Sequence, residues 1–234
     1  MVFSLTPKGS APIFNVETLF KTPDDKSCYL WDGEISGLSE TPPPPMQLWK
    51  FSSNSEGGGT WSQISTISEV FYTLTRLSLG ADLSVGDTGL YLGGYSWDNA
   101  FPHQQGFTLS PALVTYNYTS QGWVSESSIG IGCCGEVVGA RAVTIPAFGL
   151  DGRELMFVLG GFDPLQEAFI WNSGLSPNHS IPFSNITIYD PYIGAWFAQR
   201  ASGDVPPPSQ LFCAVSVQGD NGTYEMQVQP FASR

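Results

Sequence analysis

The sequence predicts an all-β chain of about three four-stranded antiparallel units and the start of a fourth. Three observations carry this. A pattern returns three times: a hydrophobic strand ending in a Gly-containing turn, a strand ending in an aromatic, then a short turn and a Trp that opens another strand. Gly (26) and Pro (18) are abundant while charged residues make up only 13 %, a profile of short strands joined by many turns. No segment sustains a 3.6-residue apolar period, and no apolar run approaches the ~20 residues of a membrane-spanning helix. A β-unit that recurs cannot bury its core alone and must stack on its neighbours.

Residues 1–27 form a leader or outer strand, with Ala11–Phe20 read as extended. The first unit, 28–66, carries Cys28-Tyr-Leu-Trp-Asp32-Gly33, Leu48-Trp-Lys-Phe51 and Trp61, its last turn lengthened around Gly57-Gly-Gly59. The run Pro42–Pro45 interrupts it; a segment without N–H donors reads as a stiff connector. The second unit, 67–127, takes Phe71–Ser78 as its innermost strand and Leu90–Leu92 as its second. Gly93-Gly94, Leu113–Tyr116 and Trp123 follow. The third, 139–201, runs Ala140–Ile145, an Asp151-Gly152 hairpin signal, Leu155–Leu159, Gly160-Gly161, Ile186–Tyr189 and Trp196. In both later copies the Trp stands seven residues after the Tyr. The partial fourth unit, 209–226, has Leu211–Val217 as first strand, an Asp220-Asn-Gly turn and a return strand from Thr223, with 227–234 as a tail. Paired glycines suit a tight turn or a close backbone approach. Tyr116, Trp123, Tyr189 and Trp196 offer large areas for packing between sheets.

These motifs resemble kelch repeats, over roughly Cys28 to Met226. The resemblance implies a β-propeller, each repeat being one four-stranded blade, and places the chain in the superfamily of kelch and galactose-oxidase-type propellers. Kelch units run about 50 residues; here the glycine turns Gly33, Gly94 and Gly161 stand 61 and 67 apart, which fits long loops at Ser96–Pro111 and Asp163–Ser184. Propellers use about four to eight blades, so the expectation is an incomplete β-propeller: the N-terminal portion of a longer one, or a chain that closes its ring with other copies through open blade edges. The likeness to extracytoplasmic kelch proteins of fungi implies secretion or surface display, and protein or carbohydrate partners. Many of those proteins carry a C-terminal membrane anchor, which this sequence lacks.

The net charge of −12, with no Lys after Lys50, opposes binding to nucleic acid or anionic membrane surfaces. Four sequons, at Asn117, Asn178, Asn185 and Asn221, favour an extracellular glycoprotein, although the N-terminus shows no signal-peptide pattern. Four cysteines, Cys28, Cys133, Cys134 and Cys213, allow three full pairings and match no zinc spacing.

A copper-radical oxidase of the galactose-oxidase kind would need two histidines and two tyrosines around copper. The two histidines here, His103 and His179, lie in long loops, so no metal, cofactor or catalytic residue is expected. Gly57-Gly-Gly-Thr60 lacks the Lys of a phosphate loop, and Gly130–Gly135 reads as a connector. What remains is a non-enzymatic binding module; a copper-radical oxidase fragment and an intracellular kelch adaptor are the alternatives. Both long loops follow a Gly-Gly turn and so emerge on one face. Their Trp97, Phe101, His103, Phe107, Phe169 and Trp171 are the candidate binding residues, free to stack on a ligand or to fold inward.

Overall fold

The computed structural model describes residues 6–39, 41–98, 100, 106–128, 136–163 and 180–229. The strands are β1 (Thr18–Lys21), β2 (Ser27–Trp31), β3 (Leu48–Ser53), β4 (Gly59–Ile64), β5 (Ala81–Val85), β6 (Thr88–Leu92), β7 (Tyr95–Ser96), β8 (Thr108–Leu109), β9 (Ala112–Asn117), β10 (Trp123–Ser127), β11 (Arg141–Ile145), β12 (Leu155–Leu159), β13 (Asn185–Asp190), β14 (Ala195–Arg200), β15 (Cys213–Gln218) and β16 (Tyr224–Gln229). They form antiparallel sheets β1-β2-β3-β4, β5-β6-β9-β10, β11-β12-β13-β14 and β15-β16, with β7-β8 as a small extra ribbon. Strands β1, β5, β11 and β15 pack beside one another in chain order. The result is an all-β, incomplete propeller, in which no strand pairing joins the first sheet to the last among the described residues. No helix among them is long and apolar enough to cross a membrane.

The seven-residue spacing has a plain cause. Tyr116 stands directly opposite Trp123 across β9-β10, and Tyr189 opposite Trp196 across β13-β14. The longer first turn keeps the same pairing, Phe51 with Trp61. Cross-strand aromatic pairs of this kind stabilise a sheet. Trp123 also lies 4.6 to 5.2 Å, centroid to centroid, from Tyr116, Trp31 and Phe71, which builds the core between the first two blades.

The paired glycines serve the approach between blades. Gly93 and Gly94 both have positive φ, and a Cβ on Gly93 would fall 2.2 Å from the Val137 carbonyl of the next blade. That carbonyl accepts the Gly94 N–H at 2.7 Å, and the Ser209 carbonyl accepts the Gly161 N–H at 2.9 Å. The degraded first copy keeps this bond, Gly33 N–H to the Leu77 carbonyl at 3.0 Å, but puts Asp32 where the others have glycine. Asp32 holds φ +77, and its Oδ1 accepts the Leu77 N–H.

Two expectations are corrected. Phe71–Ser78 is not the innermost strand of the second unit: Glu69–Thr73 is a short helix, α1, and the inner strand is β5. Phe71 points into the aromatic core beside Trp123, and that packing overrides the alternation of the stretch. The first sheet also begins before residue 28, because β1 pairs with β2 and its Lys21 N–H donates to Ser84 Oγ on β5. Every inner strand follows a residue with positive φ: Val16, Leu79, Gly139 and Leu211. The Gly139 N–H donates to the Leu79 carbonyl at 2.7 Å and the Leu211 N–H to the Gly139 carbonyl at 2.9 Å, a main-chain relay from blade to blade.

Candidate functional site

Antiparallel strand order sends successive turns to alternate ends of a blade. The short hairpins after β1, β3, β5, β9, β11, β13 and β15 share one end, and the segments that follow β2, β6 and β12 share the other. The candidate loops therefore do emerge together. Of their six named residues, Trp97 and Phe107 are described; Phe101, His103, Phe169 and Trp171 lie outside the described residues, as does His179.

Trp97 and Phe107 stack, with rings 5.2 Å apart and 12° from parallel. Trp97 Nε1 donates to Glu34 Oε2 at 2.6 Å, and the Tyr95 hydroxyl donates to the same oxygen at 3.4 Å. Tyr95, Val138 and Phe162 form a small core beneath, with Leu79, Trp97 and Leu109 against it. Trp97 has folded inward, while Phe107 keeps 38 % of its surface exposed. Burial raises the Glu34 carboxyl above its usual range, against the pull of its donors.

A second polar cluster locks the same end. Arg76 is buried, its guanidinium donating to the carbonyls of Pro44 (3.1 Å), Pro45 (2.8 Å) and Ala100 (2.6 Å), and it lies 4.5 Å over the Phe14 ring. It clamps the end of the proline run to the loop that carries Trp97. Desolvation pulls its pKa down to about 10, and Asp32 opposes the fall. Burial pushes Asp32 well above the carboxylate range, against the Leu77 N–H and Arg76. Sequence reasoning missed Asp32, Glu34 and Arg76. The Asp-for-Gly exchange at position 32 was the one visible signal.

The opposite end holds a cleft of about 700 Å³ between the second and third blades, lined by Asp87, Thr115, Asn117, Glu126 and Tyr192. Asn117 caps its own turn, Oδ1 accepting the N–H groups of Thr119 and Ser120. Asn185 and Asn221 are exposed, and Asn178 lies outside the described residues. Cys28 and Cys213 are free thiols; Cys133 and Cys134 lie outside the described residues.

No protein-family model matches the chain, and no curated protein sequence matches it. Among solved structures it is similar to one described as "Structure of YjhT", at 14 % identity and a TM-score of 0.57. The match covers 90 % of this chain and 57 % of that one, so the chain spans little more than half of its length. At that identity the likeness speaks to the fold alone.

Proposed function

We propose that the chain is a non-enzymatic binding module of the kelch type, secreted or displayed at a surface, and that it takes a carbohydrate or protein partner at its long-loop end. The observation that carries this is the stacked pair Trp97–Phe107. Glu34 and the underlying core fix Trp97, so the pair is rigid before any ligand arrives, and half-exposed Phe107 presents its ring at the rim. A preorganised aromatic loses little conformational entropy on contact with a sugar face or an apolar side chain.

Screening the purified chain on a glycan array, followed by calorimetry on any captured glycan, tests the reading. Phe107→Ala weakens binding about tenfold, in line with truncation of an interface aromatic. Tyr192→Ala, at the opposite end, leaves it unchanged. Binding lost with Tyr192 and kept without Phe107, or turnover of a bound sugar, would overturn the proposal.

A further inference from the structure

The three four-stranded blades share one register, so their positions match residue by residue. Cys28 stands opposite Phe51, Gly89 opposite Tyr116, and Met156 opposite Tyr189, and each of those aromatics faces its own Trp. One residue further along, Tyr29 on β2 corresponds to Leu90 on β6, and their cross-strand partners Lys50 and Thr115 correspond as well. Two residues beyond Tyr116 and Tyr189, Tyr118 corresponds to Pro191.

The joint between the first two blades is filled with rings at this level. Tyr29 stacks on Tyr118, with centroids 5.3 Å apart and planes 6° from parallel, and meets Tyr116 edge-on at 5.2 Å. Lys50 Nζ lies 5.5 Å from the Tyr29 ring centroid, a cation over an aromatic face. The joint between the second and third blades keeps Tyr189 in the place of Tyr116. It has Leu90 and Pro191 where the first joint has its stacked tyrosines, and Thr115 where the first has Lys50. All four of these residues line the cleft of about 700 Å³. The cleft thus opens where two rings and a cation have been lost, and its size falls in the range of small-molecule sites, roughly 300–1,000 Å³.

The charge around this space has one sign. The described lining holds Asp87 and Glu126 and neither Lys nor Arg. Arg153, from the neighbouring hairpin, is turned onto the Tyr192 ring, 4.9 Å from its centroid. Burial, and after it the charge of Glu126, holds the Tyr189 hydroxyl above its usual value, so it stays a neutral hydrogen-bond donor beside that carboxylate. A cleft walled by one sign of charge concentrates the opposite ion.

We propose that this cleft binds a small aromatic ammonium ion, an arylalkylamine, with its ring against Tyr189, Leu90 and Pro191 and its ammonium group on the Glu126 carboxylate. One molecule then supplies the ring and the cation that Tyr29 and Lys50 supply at the first joint, and the ring regains the edge contact that Tyr29 makes with Tyr116. Asp87 adds to the attraction from the hairpin end of the cleft. The site lies at the opposite end of the blades from Trp97 and Phe107 and takes a different class of ligand.

Isothermal titration calorimetry of the purified chain with tyramine tests this. Tyramine binds saturably, one molecule per chain. p-Cresol, which lacks the ammonium group, and butylamine, which lacks the ring, each bind about tenfold more weakly. Thr115→Lys, which returns the charge of Lys50 to the cleft, abolishes binding. Glu126→Gln weakens it about fivefold, as for a solvent-facing ion pair; its side chain is exposed, so this variant decides the matter even where Thr115→Lys fails to fold. Absence of saturable binding would overturn the proposal. So would p-cresol or butylamine binding as tightly as tyramine, or a Glu126→Gln variant that binds like the wild type.

Discussion

Gly93→Ala isolates the close approach between blades. The new Cβ would sit 2.2 Å from the Val137 carbonyl oxygen and 2.7 Å from Val137 Cγ1, at φ +70. Contacts that short cannot persist, so the entry to the third blade must retreat and stretch the Gly94 N–H bond to the same carbonyl. The left-handed conformation costs alanine roughly 1–2 kcal/mol. Overpacking adds about 1–3 kcal/mol, and the weakened hydrogen bond about 1 kcal/mol. Gly86→Ala is the control. It too has positive φ, +49, but its Cβ would meet only Tyr192 Oη, at 3.8 Å, so it should lose only the roughly 1–2 kcal/mol conformational part. Urea unfolding followed by tryptophan fluorescence should separate the two variants by about 2–4 kcal/mol. Equal losses would refute the assignment of this glycine to the blade joint.

Arg76→Leu strips three carbonyls of their donor and should cost about 3 kcal/mol or more, from roughly 1–3 kcal/mol for each buried acceptor left unpaired, with faster proteolysis within 41–47; unchanged cleavage there would remove the clamp from the account. The Asp32 carboxyl is raised well above 3.8 by burial, so the folded chain holds a proton that the unfolded chain releases. Its contribution is whole below the unfolded value and falls as pH rises towards the folded one, by up to about 1.4 kcal/mol per pH unit. The stability of wild type minus Asp32→Asn should therefore decline from about pH 4 upward, and a flat or rising difference would contradict it. Trp123→Ala, at a buried site ringed by three aromatics, should cost about 3–5 kcal/mol and clearly more than Trp196→Ala, whose ring meets Tyr189 and is half-buried; thermal unfolding of the pair decides.

What was legible in the sequence was whatever the repeat writes in distinctive side chains. Gly-Gly pairs and a Tyr and Trp seven apart mark β6, β9 and β10, and again β12, β13 and β14, because hairpin register fixes their spacing. The inner strands were harder. Arg141–Ile145 is plain in the sequence, but β5 is five residues, Ala81-Asp-Leu-Ser-Val85, and is outweighed by the longer alternation of Phe71–Ser78, whose Phe71 belongs to a helix packed on Trp123. The turn before each inner strand was unreadable, because three of its four left-handed residues are Val16, Leu79 and Leu211 rather than glycine. At Leu79 and Leu211 main-chain bonds to Gly139 of the adjoining blade hold that conformation where local preference would not. At the candidate site the sequence named Trp97 and Phe107. It could not single out Glu34, Asp32 or Arg76, whose partners come from other units and meet only after the blades stack.

The relay of main-chain bonds through Leu79, Gly139 and Leu211 bears on how such a chain can change its length. A peptide carbonyl and a peptide N–H are the same at every joint, whatever side chains flank them. A gene duplication that inserted one more unit, or a deletion that removed one, would bring matching donors and acceptors to the new neighbours without any compensating substitution. The glycines at the joint, which leave no room for a Cβ, and the apolar rows on the sheet faces would still have to match. Unit number is thus open to drift in this architecture.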